Sequence, residues 1–478
     1  MAAKHHGRFK TLATLSAAIV MVSACSSATS TPGATIAGAA PTDTSTAQST
    51  GVAHKPVTIS VGVLRPGVAQ ETVDALNKQI TEFEAKYPWI TVNSDEYNWT
   101  APTFAAQMNA GTLPDVFTIP FTEGKGLIQL KQIVNIDSRV RALSYADKFN
   151  ANVLSNGQDA SGQIFAVPYQ AYAMALHYNR AMFTAAGLDP NKPPTTWAEI
   201  QTDAKTIADK TKQAGYAQMA ASATGGWQLT TLTYSLGGRM EATDAKGKVT
   251  ATVNNAATNK ALQMLQQMRW TDNSMGATFD YDWGSINQAF SAGQVGMFTS
   301  GSDVYTAMVQ TNNLKTDDYG ITTIPLSSDP TAGVLGGGTL AVVNVNTTEA
   351  QRDAAVDWID FYWMNKLRTQ DGAVADAKDL IANKQPVGVP ALPIFDKATY
   401  DQSQTWIQSY INVPAAQTTP FTSKIFTQPV VTEPTVSTQS LYTTLDPVVQ
   451  AVLTDKNADI GALLDAANKK VQSIIDKG

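Results

Sequence analysis

Between residues 57 and 119 the apolar positions switch repeatedly from a period of two to a period of three to four. Val57 to Leu64 (VTISVGVL) alternates as a strand with one buried face does, and Arg65-Pro66-Gly67 breaks it. Val73, Leu76, Ile80, Phe83 and Tyr87 then fall on one face of a helix that Pro88 stops. Ile90 to Val92 predicts a second strand, Thr103 to Ala110 a helix closed by Gly111, and Val116 to Ile119 a third strand. Strand, helix, strand, helix, strand implies a parallel sheet with right-handed crossovers. Ligands of open α/β sheets bind outside the carboxyl ends of the strands. That rule nominates Arg65, then Tyr97 and Trp99, then Phe121 to Glu123, with Glu123 the titratable candidate.

The stretch Gly162 to Gly187 (GQIFAVPYQAYAMALHYNRAMFTAAG) changes the picture from one lobe to two. An alternating run ends at Pro168, a second extended segment covers Ala173 to Tyr178, and a helical pattern follows until Gly187. Two strands joined by so short an irregular link, with Tyr172 in it as a candidate contact, read as a crossing between lobes. Beyond it, Thr196 and Glu199 form a capping box for a helix, with Trp197 in a packing role in its first turn. Gly225-Gly226-Trp227 follows a short strand-like run, and Trp227 is either a core residue or a pocket aromatic. Asp282-Trp283 leads through Phe290 to Ser300-Gly301-Ser302-Asp303. Tyr319 to Pro325 reads as a return strand into the first lobe. Gly336 to Val343 is a further strand, whose Gly337 either lets the backbone approach a ligand or marks a bulge. Ala350 to Trp363 is an amphipathic helix with Trp358 and Trp363 as packing residues, and helices near Tyr442–Leu453 and Ile460–Ile475 finish the chain.

Composition narrows the class. The chain has 478 residues with 43% hydrophobic and 15% charged, which suits two lobes with sizeable cores. Its formal net charge of −6 gives no reason to expect nucleic acid. A single cysteine, Cys25, excludes disulfides within the chain. Lys4, Arg8 and Lys10 precede an apolar run, Leu12 to Val22, too short to span a bilayer comfortably. Val22-Ser23-Ala24-Cys25 then looks like a bacterial lipobox, with residues 1–24 as the signal peptide and Cys25 as the lipidated residue. Two acyl chains give stable anchoring where one does not. Residues 25–55 are a Ser/Thr/Ala/Gly/Pro tether that cannot bury enough surface to order itself.

Several of these stretches resemble one family. FEAKYPWITV followed by GTLPDVF is similar to the first-lobe pattern of the extracellular solute-binding proteins of ABC importers, in the carbohydrate-binding group related to the maltodextrin-binding proteins. The Gly162–Gly187 stretch resembles their hinge, Pro194–Glu199 their P-x-T-W-x-E, Ala289–Met297 their A-F-x-x-G-x-x-G-M, and Gly336–Val343 their G-G-x-x-L-A-V. The resemblance implies an α/β fold of two lobes, each a mostly parallel sheet flanked by helices, with a ligand cleft at the hinge. Residues 56–168 with about 319–372 would form the N-terminal lobe, and about 173–318 with 373–478 the C-terminal lobe. It also implies a carbohydrate ligand, ABC permease subunits as partners, and residence on the outer face of the bacterial cytoplasmic membrane. Many relatives carry a sugar-stacking tryptophan where this chain has Asp303, so its stacking must come from elsewhere. The implied contact set is Arg65, Tyr97, Trp99, Glu123, Tyr172, Trp227, Trp283, Asp303 and Gly337.

Enzyme classes mostly fall away. Of four histidines, His5 and His6 lie in the signal peptide and His54 in the tether, leaving His177. That excludes a zinc site of several His/Cys ligands, a cysteine nucleophile and a well-supported Ser-His-Asp triad. Gly124-Lys125-Gly126 lacks P-loop spacing. No metal and no cofactor are expected. The alternatives left open are the same fold binding a polyamine or phosphate ester, a glycan-binding sensor or adhesin, and a two-carboxylate glycosidase.

Overall fold

In the computed structural model, residues 54–68, 70–244 and 246–477 are described. The predicted signal peptide, Cys25 and nearly all of the tether lie outside them. Ten strands follow in chain order: β1 (Val57–Leu64), β2 (Ile90–Glu96), β3 (Val116–Pro120), β4 (Ala166–Asn179), β5 (Glu241–Thr243), β6 (Val249–Ala251), β7 (Met297–Gly301), β8 (Tyr319–Thr323), β9 (Val334–Val343) and β10 (Val430–Thr432). Apart from the β5–β6 ribbon they share one sheet, in the order β2-β1-β3-β9-β4-β7, with β10 on β9 and β8 on β4. The first three are parallel, as their intervening helices require.

β4 organises the molecule. Its first half, Ala166 to Ala173, pairs antiparallel with β9, and its second half, Met174 to Asn179, is flanked by β7 and β8. Ala173 to Asn179 is buried throughout, which is why the sequence there does not alternate. The irregular link expected between two strands is instead one 14-residue strand with a register shift between Pro168 and Gln170. Pro168 has no N–H to give the ladder, so a bulge forms there and the strand continues beyond it.

Two boundaries move. Tyr319–Thr323 pairs with the second half of β4, so the return into the first half of the sheet is made by β9, not by β8. The region after residue 373, expected with the second lobe, begins on the first-lobe side. Leu392 N–H bonds the Ala171 carbonyl at 3.0 Å, and Asn150 N–H bonds that of Ile394 at 2.9 Å. The helices Gln370–Ala382 and Lys397–Ile407 pack on each other there. The chain reaches the other side with Ala415–Thr422, which packs on β8, and with Thr438–Thr454.

Local signals hold where they were strong. Leu76, Ile80 and Phe83 are the buried face of Gln70–Lys86. Thr196 and Glu199 complete a capping box on Trp197–Thr211, and the buried Trp197 donates its indole N–H to Ser235 Oγ at 3.1 Å. Trp358 is fully buried, edge-on to Phe83 at 5.1 Å. Among the described residues no helix is long and apolar enough to cross a membrane.

Candidate functional site

A cavity of about 370 Å³ opens where β1, β2 and β3 end, bounded on its far side by the bulge of β4 and by Tyr362 and Trp363. Arg65 follows β1, and Tyr97, Asn98 and Trp99 follow β2, so the strand ends deliver three nominated residues to one wall. Tyr97 is fixed: its N–H bonds the Leu64 carbonyl at 2.6 Å and its hydroxyl donates to the Thr118 carbonyl at 2.9 Å. Burial raises its hydroxyl pKa above the ordinary value, with Tyr169 and Glu123 adding to the effect. The Trp99 indole N–H is masked from solvent and has no protein acceptor.

The opposite wall is aromatic. Tyr169, the bulged residue of β4, stacks on Trp363 with ring centres 4.8 Å apart. Tyr362 stacks on the buried Trp358 at 5.0 Å and meets Trp363 edge-on at 5.0 Å. Tyr362 and Trp363 lie in a π-helical turn, Asp360–Met364, that widens the end of the helix Glu349–Ile359. Such turns are frequent at functional sites. Asp360 anchors this one, accepting hydrogen bonds from Arg368 at 2.7 Å and from the Tyr145 hydroxyl at 2.5 Å.

A second cluster sits where β4 passes between its two pairing regions. The Tyr172 ring lies against Gly301 and Gly337, and a Cβ on Gly337 would collide with the Tyr172 hydroxyl. Trp227 stands edge-on to Tyr172 at 6.1 Å. Its indole N–H lies close enough to ease the Tyr172 hydroxyl downward, but no hydrogen bond of ordinary geometry forms and the group has no protein acceptor. Burial nonetheless pushes Tyr172 well above its ordinary pKa, helped by Glu433 and Asp303. Gln170 Nε2 reaches Asp303 Oδ2 at 3.5 Å, and Tyr442 donates its hydroxyl to Glu433 at 3.0 Å. Burial raises the Asp303 carboxyl pKa and pushes Glu433 up to about 7.

Trp227 is placed by its neighbours. It occupies the first turn of the helix Thr224–Ser235, not a loop. Asp446 accepts from the N–H groups of Ala223 at 2.6 Å and Gly226 at 3.0 Å, which satisfies free donors at that helix start. A Cβ on Gly226 would strike the Tyr442 backbone of the adjoining helix, so the glycine pair before Trp227 is a packing requirement.

Residues 69–366 match the model of the bacterial extracellular solute-binding protein family. The chain belongs to that family. It is also 23% identical over 313 residues to the sn-glycerol-3-phosphate-binding periplasmic protein of Agrobacterium fabrum, covering 64% of this chain and 70% of the relative. In fold it is similar to the cyclic α-maltosyl-1,6-maltose binding protein of Arthrobacter globiformis, with a TM-score of 0.69, 21% identity, and coverage of 88% of this chain and 100% of the other. The Mycobacterium tuberculosis protein UgpB, crystallised with glycerophosphocholine, superposes with a TM-score of 0.66 at 15% identity, covering 89% of this chain and 99% of that one. The fold is therefore the two-lobed α/β fold of these solute-binding proteins, as the sequence resemblance implied.

Within this solute-binding fold the nominated residues separate into groups. Arg65, Tyr97 and Trp99 line the cavity; Tyr172, Trp227 and Asp303 form the second cluster. Glu123 is in the first turn of Phe121–Gln129, outside the cavity lining, and burial raises its pKa. Gly337 is buried under the Tyr172 ring and leaves the lining to Gly338 and Thr339. Trp283 begins the helix Trp283–Ser291 and is 43% exposed, away from the cavity, because its neighbours Ile286, Ala289 and Phe290 take the buried face. Tyr169, Gln170, Tyr362 and Glu433 were not singled out from sequence, and Trp363, read there as packing, also lines the cavity. His177 is wholly buried between Tyr319 and the Ser300 carbonyl, and burial holds its pKa down to about 4. Among the described residues no group of three or more His, Cys, Asp or Glu side chains could hold a metal ion.

Proposed function

We propose that this solute-binding protein captures a neutral saccharide between Trp99 on one side and Trp227 on the other and delivers it, without chemical change, to an ABC permease. The observation that supports this most is Trp99 in the cavity wall, whose indole N–H is masked and lacks a protein acceptor; the Trp227 and Trp358 indoles, outside that lining, share the feature. A masked donor left unpaired costs about 1–3 kcal/mol, and a ligand hydroxyl oxygen would remove that cost. Sugars also present apolar C–H faces, which the Trp99 and Trp363 walls suit, and hydroxyl rims, which Gln170, Asp303 and Glu433 suit. In this reading the lobes meet along β4 and β9, and hinge closure carries the Tyr172–Trp227 cluster onto the ligand.

A phosphate ester is the second reading, favoured by Arg65, which is exposed at the cavity and makes no ion pair among the described residues. The absence of another cation in the cavity lining argues against a doubly charged ligand.

Calorimetry with glucose, maltose and maltotriose, and with sn-glycerol 3-phosphate, separates the two. We expect a saccharide to bind, and Trp99→Ala or Trp227→Ala to weaken it tenfold or more, the equivalent of about 1.4 kcal/mol. A binding isotherm for the phosphate ester alone, abolished in Arg65→Ala, would replace the saccharide reading. We further propose that Cys25 carries the lipid that holds the protein on the outer face of the cytoplasmic membrane. Cys25→Ala should then release the protein or block its processing, and a normally processed, membrane-bound variant would contradict the anchor.

A further inference from the structure

Behind the aromatic wall lies a second cavity of about 410 Å³ that shares Tyr169, Gln170, Tyr362 and Trp363 with the first. We propose that this side cavity is a second binding compartment, taking an uncharged apolar portion of the solute whose polar portion lies in the cleft. Its inner surface is built from Ala171 of β4, Ala373, Ala377 and Leu380 of one helix, and Val389 and Leu392 of the loop that follows. The loop is held to the strand by the Leu392 N–H bond to the Ala171 carbonyl, so the cavity is bounded by fixed backbone. Lys366 and Asp376, the two charged side chains in its lining, face each other at 3.5 Å. They neutralise one another, so the compartment offers an anion or cation no partner of its own.

The dimensions and chemistry fit a ligand compartment, since such sites span roughly 300–1,000 Å³ and are mainly apolar with few polar groups. Water against these side chains is released when an apolar group displaces it. The shared wall supplies the continuity. Tyr169, Gln170, Tyr362 and Trp363 border both spaces, so a solute held against them in the cleft lies next to the side cavity. An alkyl or aryl glycoside, and not a free sugar, is the solute class that fills both spaces. The inference rests on the saccharide reading for the polar portion alone.

The test uses the mature protein, the fluorescent apolar probe 8-anilinonaphthalene-1-sulfonate, and methyl and hexyl β-D-glucopyranoside. Two substitutions at the partly exposed Leu380 alter the side cavity: Leu380→Asp makes it polar and Leu380→Trp fills it. We expect the probe to bind the wild type at one site and at least tenfold more weakly in both variants. Hexyl glucoside should displace it where methyl glucoside does not, and the affinity gain from methyl to hexyl should vanish in the variants. Equal probe binding in wild type and both folded variants would overturn the compartment, as would glucosides that both bind, with the hexyl no tighter than the methyl one. Should one variant fail to fold, the hexyl-over-methyl comparison in the wild type decides alone. Probe bound and displaced by hexanol, with both glucosides silent, would uphold the compartment and count against the saccharide reading only.

Discussion

Glu433 shows how much a single side chain of the second cluster can report. Its carboxyl lies beside Tyr442 and Tyr172, and burial pushes its pKa to about 7 from an ordinary 4.5. The folded chain keeps this proton up to about pH 7, where the unfolded chain releases it near 4.5. The stabilisation is therefore full below pH 4.5 and lost as pH rises to 7. Glu433→Gln, which is neutral at every pH, should melt higher than wild type at pH 8, by up to about 3 kcal/mol, and nearly level with it at pH 4.5. Thermal melts at the two pH values check this, and a difference independent of pH would contradict it. At this scale the sequence was informative where position follows from a rule. Arg65, Tyr97 and Trp99 stand at strand ends, as the strand-end rule nominated them, and line the first cavity. Glu433 was invisible, because three-residue β10 before it has no pattern of its own and only the fold brings it to Tyr172.

Among the elements, the π-helical turn at Asp360–Met364 is the one whose failure should disturb both cavities, because Tyr362 and Trp363 line both. The Asp360 side chain is 10% exposed and that of Arg368 22%. Removing one partner of such a pair leaves the other poorly satisfied, at a cost of about 3–5 kcal/mol when fully buried. Asp360→Ala should accordingly lower stability by about 3 kcal/mol in urea unfolding and weaken saccharide binding as Trp363 loses its fixed position. A variant as stable as wild type would show that the turn is held by ring stacking alone. The sequence concealed this element for a geometric reason. Helical spacing places Trp358 and Trp363 about 140° apart, on separate faces, and a widened turn leaves no mark in the apolar pattern. Both were read as packing, and Trp358 is, while Trp363 reaches the cavities. The bulge at Pro168 was half legible: the proline announced an interruption, and the strand's continuation beyond it depends on β9, which lies far away in sequence.

At the scale of the whole molecule, the sequence carried the two-lobed fold because regular strand–helix alternation and the hinge stretch are local signals. It misplaced the last crossings. Which side receives residues 373 to 410 depends on hydrogen bonds to Ala171 and Asn150, and nothing in their own composition decides it. That segment also builds the wall of the side cavity, the compartment proposed to take an apolar portion of the solute. The central proposal for this molecule is that its cleft accepts a neutral saccharide. Thermal unfolding of the mature protein against a panel of neutral mono- and oligosaccharides, alkyl glucosides and phosphate esters tests this directly. A ligand at 100 times its dissociation constant adds about 2.7 kcal/mol to stability, which moves the melting temperature measurably. We expect a shift from at least one sugar or glucoside that is lost in Trp99→Ala. Silence across every saccharide, with a shift from a phosphate ester that Arg65→Ala abolishes, would contradict it.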